Sequence, residues 1–127
     1  MRYLSEEWIA AADAALRQAA ASAPAARIVV DQVIEGAASY RVIIEQNAAS
    51  ITLLDAAADH GAADAVFRQQ AATAAAVAKG TTDAHQAFLL GHIRFEGAID
   101  VLIERREAFE WLETALAPVL AETVFSD

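Results

Sequence analysis

The sequence predicts an α+β fold, a sheet covered by helices, and three of its features do so. Between Arg27 and Leu54, apolar and polar residues alternate with the period of two that half-buried strands need. Before and after lie Ala-rich stretches whose larger apolar residues recur at helical spacing. From Lys79 to Gly97 a glycine stop leads to one short helix, a second stop at Gly91 and a further alternating segment. Strands bunched early, then a helical pair and one more strand, suit an α+β arrangement.

Ser5 is a good N-cap, and Glu6 and Glu7 in the first turn complement the helix dipole. Leu4, Trp8, Ile9, Ala12 and Leu16 follow at helical spacing, with Asp13 and Arg17 paired four apart on the outside. The helix should end near Ser22-Ala23-Pro24, because the residue before a proline avoids the helical region. Ile28-Val29-Val30 and Val33-Ile34 read as the first strand, closed by Glu35-Gly36. In the second, Tyr40, Val42 and Ile44 alternate with Arg41 and Glu45. Gln46-Asn47 makes a turn, since Asn tolerates the left-handed region, and Ile51 to Leu54 is the third strand. Asp55 to Asp64 reads as an Ala-rich loop or weak helical turn, broken at Asp59-His60-Gly61.

Ala65 to Arg68 is a short fourth strand that puts Phe67 and Arg68 on opposite sides. Gln70 to Lys79 has strong helix propensity but only Val77 as a bulky apolar residue. Along the fifth strand Ile93 and Phe95 share one face, while His92, Arg94 and Glu96 share the other, up to Gly97. Ile99 to Leu116 is the longest expected helix. Its stripe is Ile99, Leu102, Ile103, Phe109, Leu112 and Leu116, opposite Glu104, Glu107 and Trp111. Pro118 should break or bend the tail that carries Val119, Leu120, Val124 and Phe125.

Bulk properties exclude several functions. At 127 residues the chain is expected to be one domain, 1–127, with a single core. With 18 acidic against 9 basic residues and a net charge of -9, it has no cationic stripe for nucleic acid or an anionic membrane surface. No cysteine means no disulfide scaffold and no thiolate chemistry. Without a signal peptide, a spanning apolar run or a peroxisomal tail, a cytoplasmic protein is expected, with no stable membrane insertion.

Catalytic groups are equally scarce. His60, His85 and His92 lack the spacing of a metal site and are expected on the surface or in loops. The serines have no nucleophile-elbow context, and the five glycines form no phosphate-cradling loop. Glu6-Glu7 and Glu104-Glu107 lie on solvated helix faces. No enzyme activity, cofactor or metal is expected. What the sequence does offer is greasy: Phe67, Phe88, Ile93, Phe95, Ile99, Leu102 and Ile103 come from elements that can converge. The alanines from Ala71 to Ala78 put small side chains where a filled core wants large ones. Either that helix lies very near the sheet, or a space remains beneath it.

The segment Asp64-Ala65-Val66-Phe67, then Lys79-Gly80, Gln86-Ala87-Phe88, Gly91, Ile93-Arg94-Phe95 and Gly97, resembles the sterol carrier protein family of lipid-transfer domains. The resemblance implies a five-stranded, mainly antiparallel sheet covered on one face by helices, with an apolar tunnel between them. It implies non-catalytic binding or transfer of a sterol, fatty acyl chain or other lipid. Phe88, Ile93, Phe95, Ile99, Leu102 and Ile103 would line the tunnel, with Phe67, Val77 and Leu89 nearby and Gln86 as a polar neighbour. Ala74 departs from the pattern, standing where the family has a bulky apolar residue. The alternative is an accessory protein presenting a hydrophobic substrate to a partner enzyme, with Trp111 or the tail as its docking surface. Either would act as a monomer or homodimer.

Overall fold

A computed structural model describes residues 1–55 and 59–125, so the middle of the expected Ala-rich loop, 56–58, lies outside the described residues. The elements follow as α1 (Glu6–Ala19), β1 (Ile28–Glu35), β2 (Ser39–Glu45), β3 (Ala48–Leu54), β4 (Ala65–Gln70) and α2 (Ala71–Lys79). Then come α3 (Ala84–Leu89), β5 (Ile93–Gly97), α4 (Asp100–Glu104) and α5 (Arg106–Ala121). The five strands form one sheet in the order β3-β2-β1-β4-β5. Its pairs are antiparallel except for β1 with β4, which is parallel from Val30↔Ala65 to Glu35↔Gln70. This is the expected α+β sheet, mostly antiparallel.

Local chemistry explains the connections. Asn47, with φ 59, lets the chain reverse in two residues between the paired Glu45 and Ala48. The chain from β3 must instead cross β2 and β1 to reach the free edge of β1, and a crossover of that kind delivers a parallel strand. Gly97 ends β5 at φ +134, and a Cβ there would come within 2.7 Å of the Asp64 carbonyl oxygen.

Register decides what each face buries. Ile28, Val30 and Ile34 of β1, Tyr40, Val42 and Ile44 of β2, and Ala49 and Ile51 of β3 join one core with Trp8, Ile9, Ala12 and Leu16 of α1. Ala108, Leu116 and Val119 of α5 complete it. Ser5 Oγ accepts from the Trp8 amide, the predicted N-cap, and Asp13 Oδ1 accepts from the Ile51 amide, tying α1 to the edge strand. Each fully buried large side chain in such a core contributes about 1.5–3 kcal/mol.

Three expectations change in detail. The long helix from Ile99 is broken at Arg105 (φ -109, ψ 24) into α4 and α5. Arg105 instead donates to the carbonyl oxygens of Ala26 and Arg27, at 2.5 and 3.1 Å. Helix α5 then runs through Pro118 to Ala121, because a proline near the last turn removes one bond while Leu116 and Val119 stay packed. Trp111, placed opposite the stripe, is half-buried against the core and donates from Nε1 to Ser22 Oγ at 3.0 Å. The tail lies against the N-terminus: Val124 bridges Arg2, and the Phe125 ring sits 5.1 Å from that of Tyr3. No helix among the described residues is long and apolar enough to cross a membrane.

Candidate functional site: two adjoining hollows between sheet and helices

Helix α2 carries alanine at every position except Thr73, Val77 and Lys79. Side chains of one methyl group leave space against the inward face of the sheet. Two hollows occupy this region. The larger, about 320 Å³, is lined by Gln32, Phe67, Gln69, Val77, Ala84, His85, Phe88, Ile93, Leu102 and Phe109. The smaller, about 150 Å³, is lined by Tyr3, Trp8, Gln32, Ile34, Tyr40, Gln69, Ala74, Val77, Ala78, Leu116 and Leu120. They share Gln32, Gln69 and Val77 as a common wall.

The lining is apolar and aromatic, with no Asp, Glu, Lys or Arg in either hollow. Phe67 on β4 meets Phe95 on β5 with ring centroids 5.4 Å apart, and Phe109 of α5 edge-on at 6.0 Å. The β4–β5 register places Phe67 directly opposite Phe95 and Gln69 opposite Ile93. Gln69 Nε2 donates to Gln32 Oε1 at 2.8 Å across the parallel pair. Burial pushes the Tyr40 phenol well above its ordinary value and that of Tyr3 up to about 12. Such a lining suits apolar matter, and among the described residues it sets no nucleophile beside a base.

A mixed sheet in this strand order, helices on one face and a hollow between the layers decide the comparison with solved structures. The chain has the sterol carrier protein fold. A Thermus thermophilus protein, TT1886, described as a candidate sterol carrier protein, superposes with a TM-score of 0.64 at 19% identity, over 94% of this chain and 90% of that one. Sterol carrier protein 2 gives 0.64 at 19% identity, over 91% and 98%. A ubiquinone synthesis protein, UbiJ-SCP2, gives 0.57 at 14% identity, over 91% and 95%. No family model and no curated protein matches the chain.

Within this sterol carrier fold the ten residues singled out in the sequence are placed as follows. Phe67, Val77, Phe88, Ile93 and Leu102 line the larger hollow. Phe95 stands behind Phe67, half-buried against the core. Leu89, Ile99 and Ile103 point to solvent, at 69%, 55% and 75% exposure, and Gln86 is exposed on α3. The break at Arg105 turns α4 so that Leu102 faces in while Ile99 and Ile103 do not.

Several lining residues went unread. Gln32 had a signal: it interrupts an otherwise apolar inward row, Ile28, Val30, Ile34. Gln69 had none, because the fourth strand was expected to end at Arg68. Tyr40 was read only as part of the apolar face of the second strand, and Tyr3 was not singled out.

The opposite face of the sheet holds a second cluster. Asp31, wholly buried, takes Arg41 Nε at 2.7 Å and Nη2 at 2.9 Å, and lies 2.6 Å from His60 Nδ1. Arg41 Nη2 also donates to the Asp59 carbonyl, and Asp64 accepts from the Val29 amide. His60, expected in a loop, is therefore part of the tie that holds the crossover against the sheet. The signal was a lone acid inside a β-branched run. Among the described residues, no group of three His, Cys, Asp or Glu side chains is placed to hold a metal ion.

Proposed function

We propose that the whole chain acts as one lipid-binding domain, holding an apolar chain in the joined hollows and carrying out no chemistry on it. One observation carries this: an aromatic-walled space free of Asp, Glu, Lys and Arg between sheet and helices, in a fold shared with sterol carrier protein 2. Burying roughly 400 Å² of ligand apolar surface is worth about 10 kcal/mol gross at about 25 cal/mol/Å². Rigid-body and ordering costs at the low end of their range, about 4 kcal/mol, then leave about 6 kcal/mol, an affinity of roughly tens of micromolar. One methylene changes binding by only about 1–3 kcal/mol, so chain-length specificity is broad.

The test uses N-phenyl-1-naphthylamine, a neutral apolar dye that fluoresces when it leaves water. The folded protein takes it up saturably at one site, and Leu102→Asp or Phe88→Asp weakens uptake at least about tenfold by placing a charge in the lining. Absent or unsaturable uptake by folded wild-type protein refutes the reading. Transfer of the dye between donor and acceptor vesicles separates carrying from storage.

A second reading has its own support. The ubiquinone synthesis protein shares the fold, and Leu89, Leu90, Ile99 and Ile103 are exposed on α3 and around α4 beside the larger hollow. An accessory protein handing a hydrophobic substrate to an enzyme would use such a surface. Trp111 suits that role less, since its indole is already bonded to Ser22.

A further inference from the structure

The two hollows differ in what their walls offer a ligand. Both are lined by Gln32 and Gln69, and the larger adds His85 and an apolar wall of Phe67, Phe88, Ile93, Leu102 and Phe109. On the smaller converge four uncharged hydrogen-bonding side chains, Tyr3, Gln32, Tyr40 and Gln69. The bond from Gln69 to Gln32 uses one donor and one acceptor. Gln32 keeps two N–H donors and Gln69 keeps its carbonyl oxygen, so the pair still presents both kinds of group to the space. Exchanging oxygen and nitrogen in both amides leaves the same inventory.

Tyr40 is the second observation. It is only 8% exposed, and among the described residues its hydroxyl bonds to no protein group; the Tyr3 hydroxyl is likewise free. Neither hydroxyl is sealed inside the protein, so both are open to a partner in the hollow that Tyr3 and Tyr40 line. Both phenols are protonated at neutral pH, and burial raises them further, so each can donate as well as accept. No cation stands in the lining: Lys79 lies over the Phe125 ring, 5.8 Å from its centroid.

We infer that the smaller hollow is the head-group site for an uncharged lipid, whose hydroxyl or carbonyl oxygens bond to Tyr40, Tyr3 and the Gln32–Gln69 pair. The hydrocarbon tail lies along the larger hollow toward α3 and α4. This rests on the lipid-binding reading and narrows it, from any apolar chain to one with a neutral oxygenated head that enters first. A space of about 150 Å³ takes a single benzene-sized ring. A head the size of one six-membered ring or a short polyol fits it. Carboxylate and phosphate heads suit the smaller hollow poorly, because no cationic side chain in its lining offsets their desolvation.

Trp8 lines the smaller hollow, and replacing the other tryptophan, Trp111→Phe, leaves it as the single reporter. Dodecanol brominated beside its hydroxyl should quench Trp8 strongly, and dodecanol brominated at the chain end should quench it weakly; the reverse order overturns the orientation. In displacement of N-phenyl-1-naphthylamine at mildly alkaline pH, dodecanol should compete at least about tenfold better than dodecanoate. Tyr40→Phe and Gln69→Met should each weaken dodecanol about five- to tenfold. Dodecanoate binding as well as dodecanol, or both variants leaving dodecanol unchanged, overturns the head-group site. Should Tyr40→Phe not fold, the wild-type comparison and Gln69→Met still decide. Wild-type protein that takes up the dye but prefers dodecanoate defeats this inference alone, whereas failure to take up the dye defeats the lipid-binding reading itself.

Discussion

Asp31 is the residue on which burial and charge compete most directly. Burial alone raises its pKa, but hydrogen bonds and charge from Arg41 and His60 outweigh it and hold the carboxyl below its ordinary value. Arg41, bound to both oxygens, is raised in turn. A carboxyl depressed on folding binds fewer protons in the native state than in the unfolded chain. Its stabilisation is therefore complete above about pH 4 and disappears as pH falls through the folded value. Urea unfolding across this range should show Asp31→Asn with a shallower acid slope than wild type. At neutral pH the variant should be less stable by about 3 kcal/mol, because Arg41 is left without its counter-charge. Parallel slopes would show that Asp31 does not supply the acid sensitivity. The acid itself was plain in the sequence, inside a run of Ile and Val; its partners were not, because Arg41 sits on the next strand and His60 in a segment without periodicity.

At the scale of elements, legibility follows how local the cause is. The β2–β3 hairpin, the N-cap of α1 and the stops at Gly80 and Gly91 depend on residues within a few positions, and all were readable. The split between α4 and α5 was not. Its stripe was correct for Leu102, Phe109, Leu112 and Leu116, but the break belongs to Arg105 and its bonds to the chain before β1. Helical periodicity carries no trace of a contact 78 residues away. Arg105→Ala should loosen α4, costing about 1–2 kcal/mol in stability. Amide exchange from Leu102 to Ala108 should quicken, and dye affinity should fall severalfold through the displaced Leu102. Unchanged exchange would mean that α4 holds its position without that tie.

Taken whole, the molecule joins a local half to a distant one. Strands β1, β2 and β3 pair with sequence neighbours, while β4 reaches β1 only after the crossover, joining Val30 to Ala65. Walls of the larger hollow come from both halves: Gln32 from β1, Phe67 and Gln69 from β4, Ile93 from β5. The space exists only once these distant pairings have formed. A saturating ligand should thus slow unfolding and leave refolding nearly unchanged, measurable as a shift of one chevron limb alone. Faster refolding with ligand present would place the site in the early half.

On the proposed function, capacity would be set by carbon that is missing from one short helix. Ala74 and Ala78 border the inner chamber, and neither carries anything beyond a methyl group. Lengthening either would shrink the room without disturbing the strands that frame it. A few substitutions along a single turn would be enough to turn a container into a solid block, or to re-tailor it for a slimmer guest.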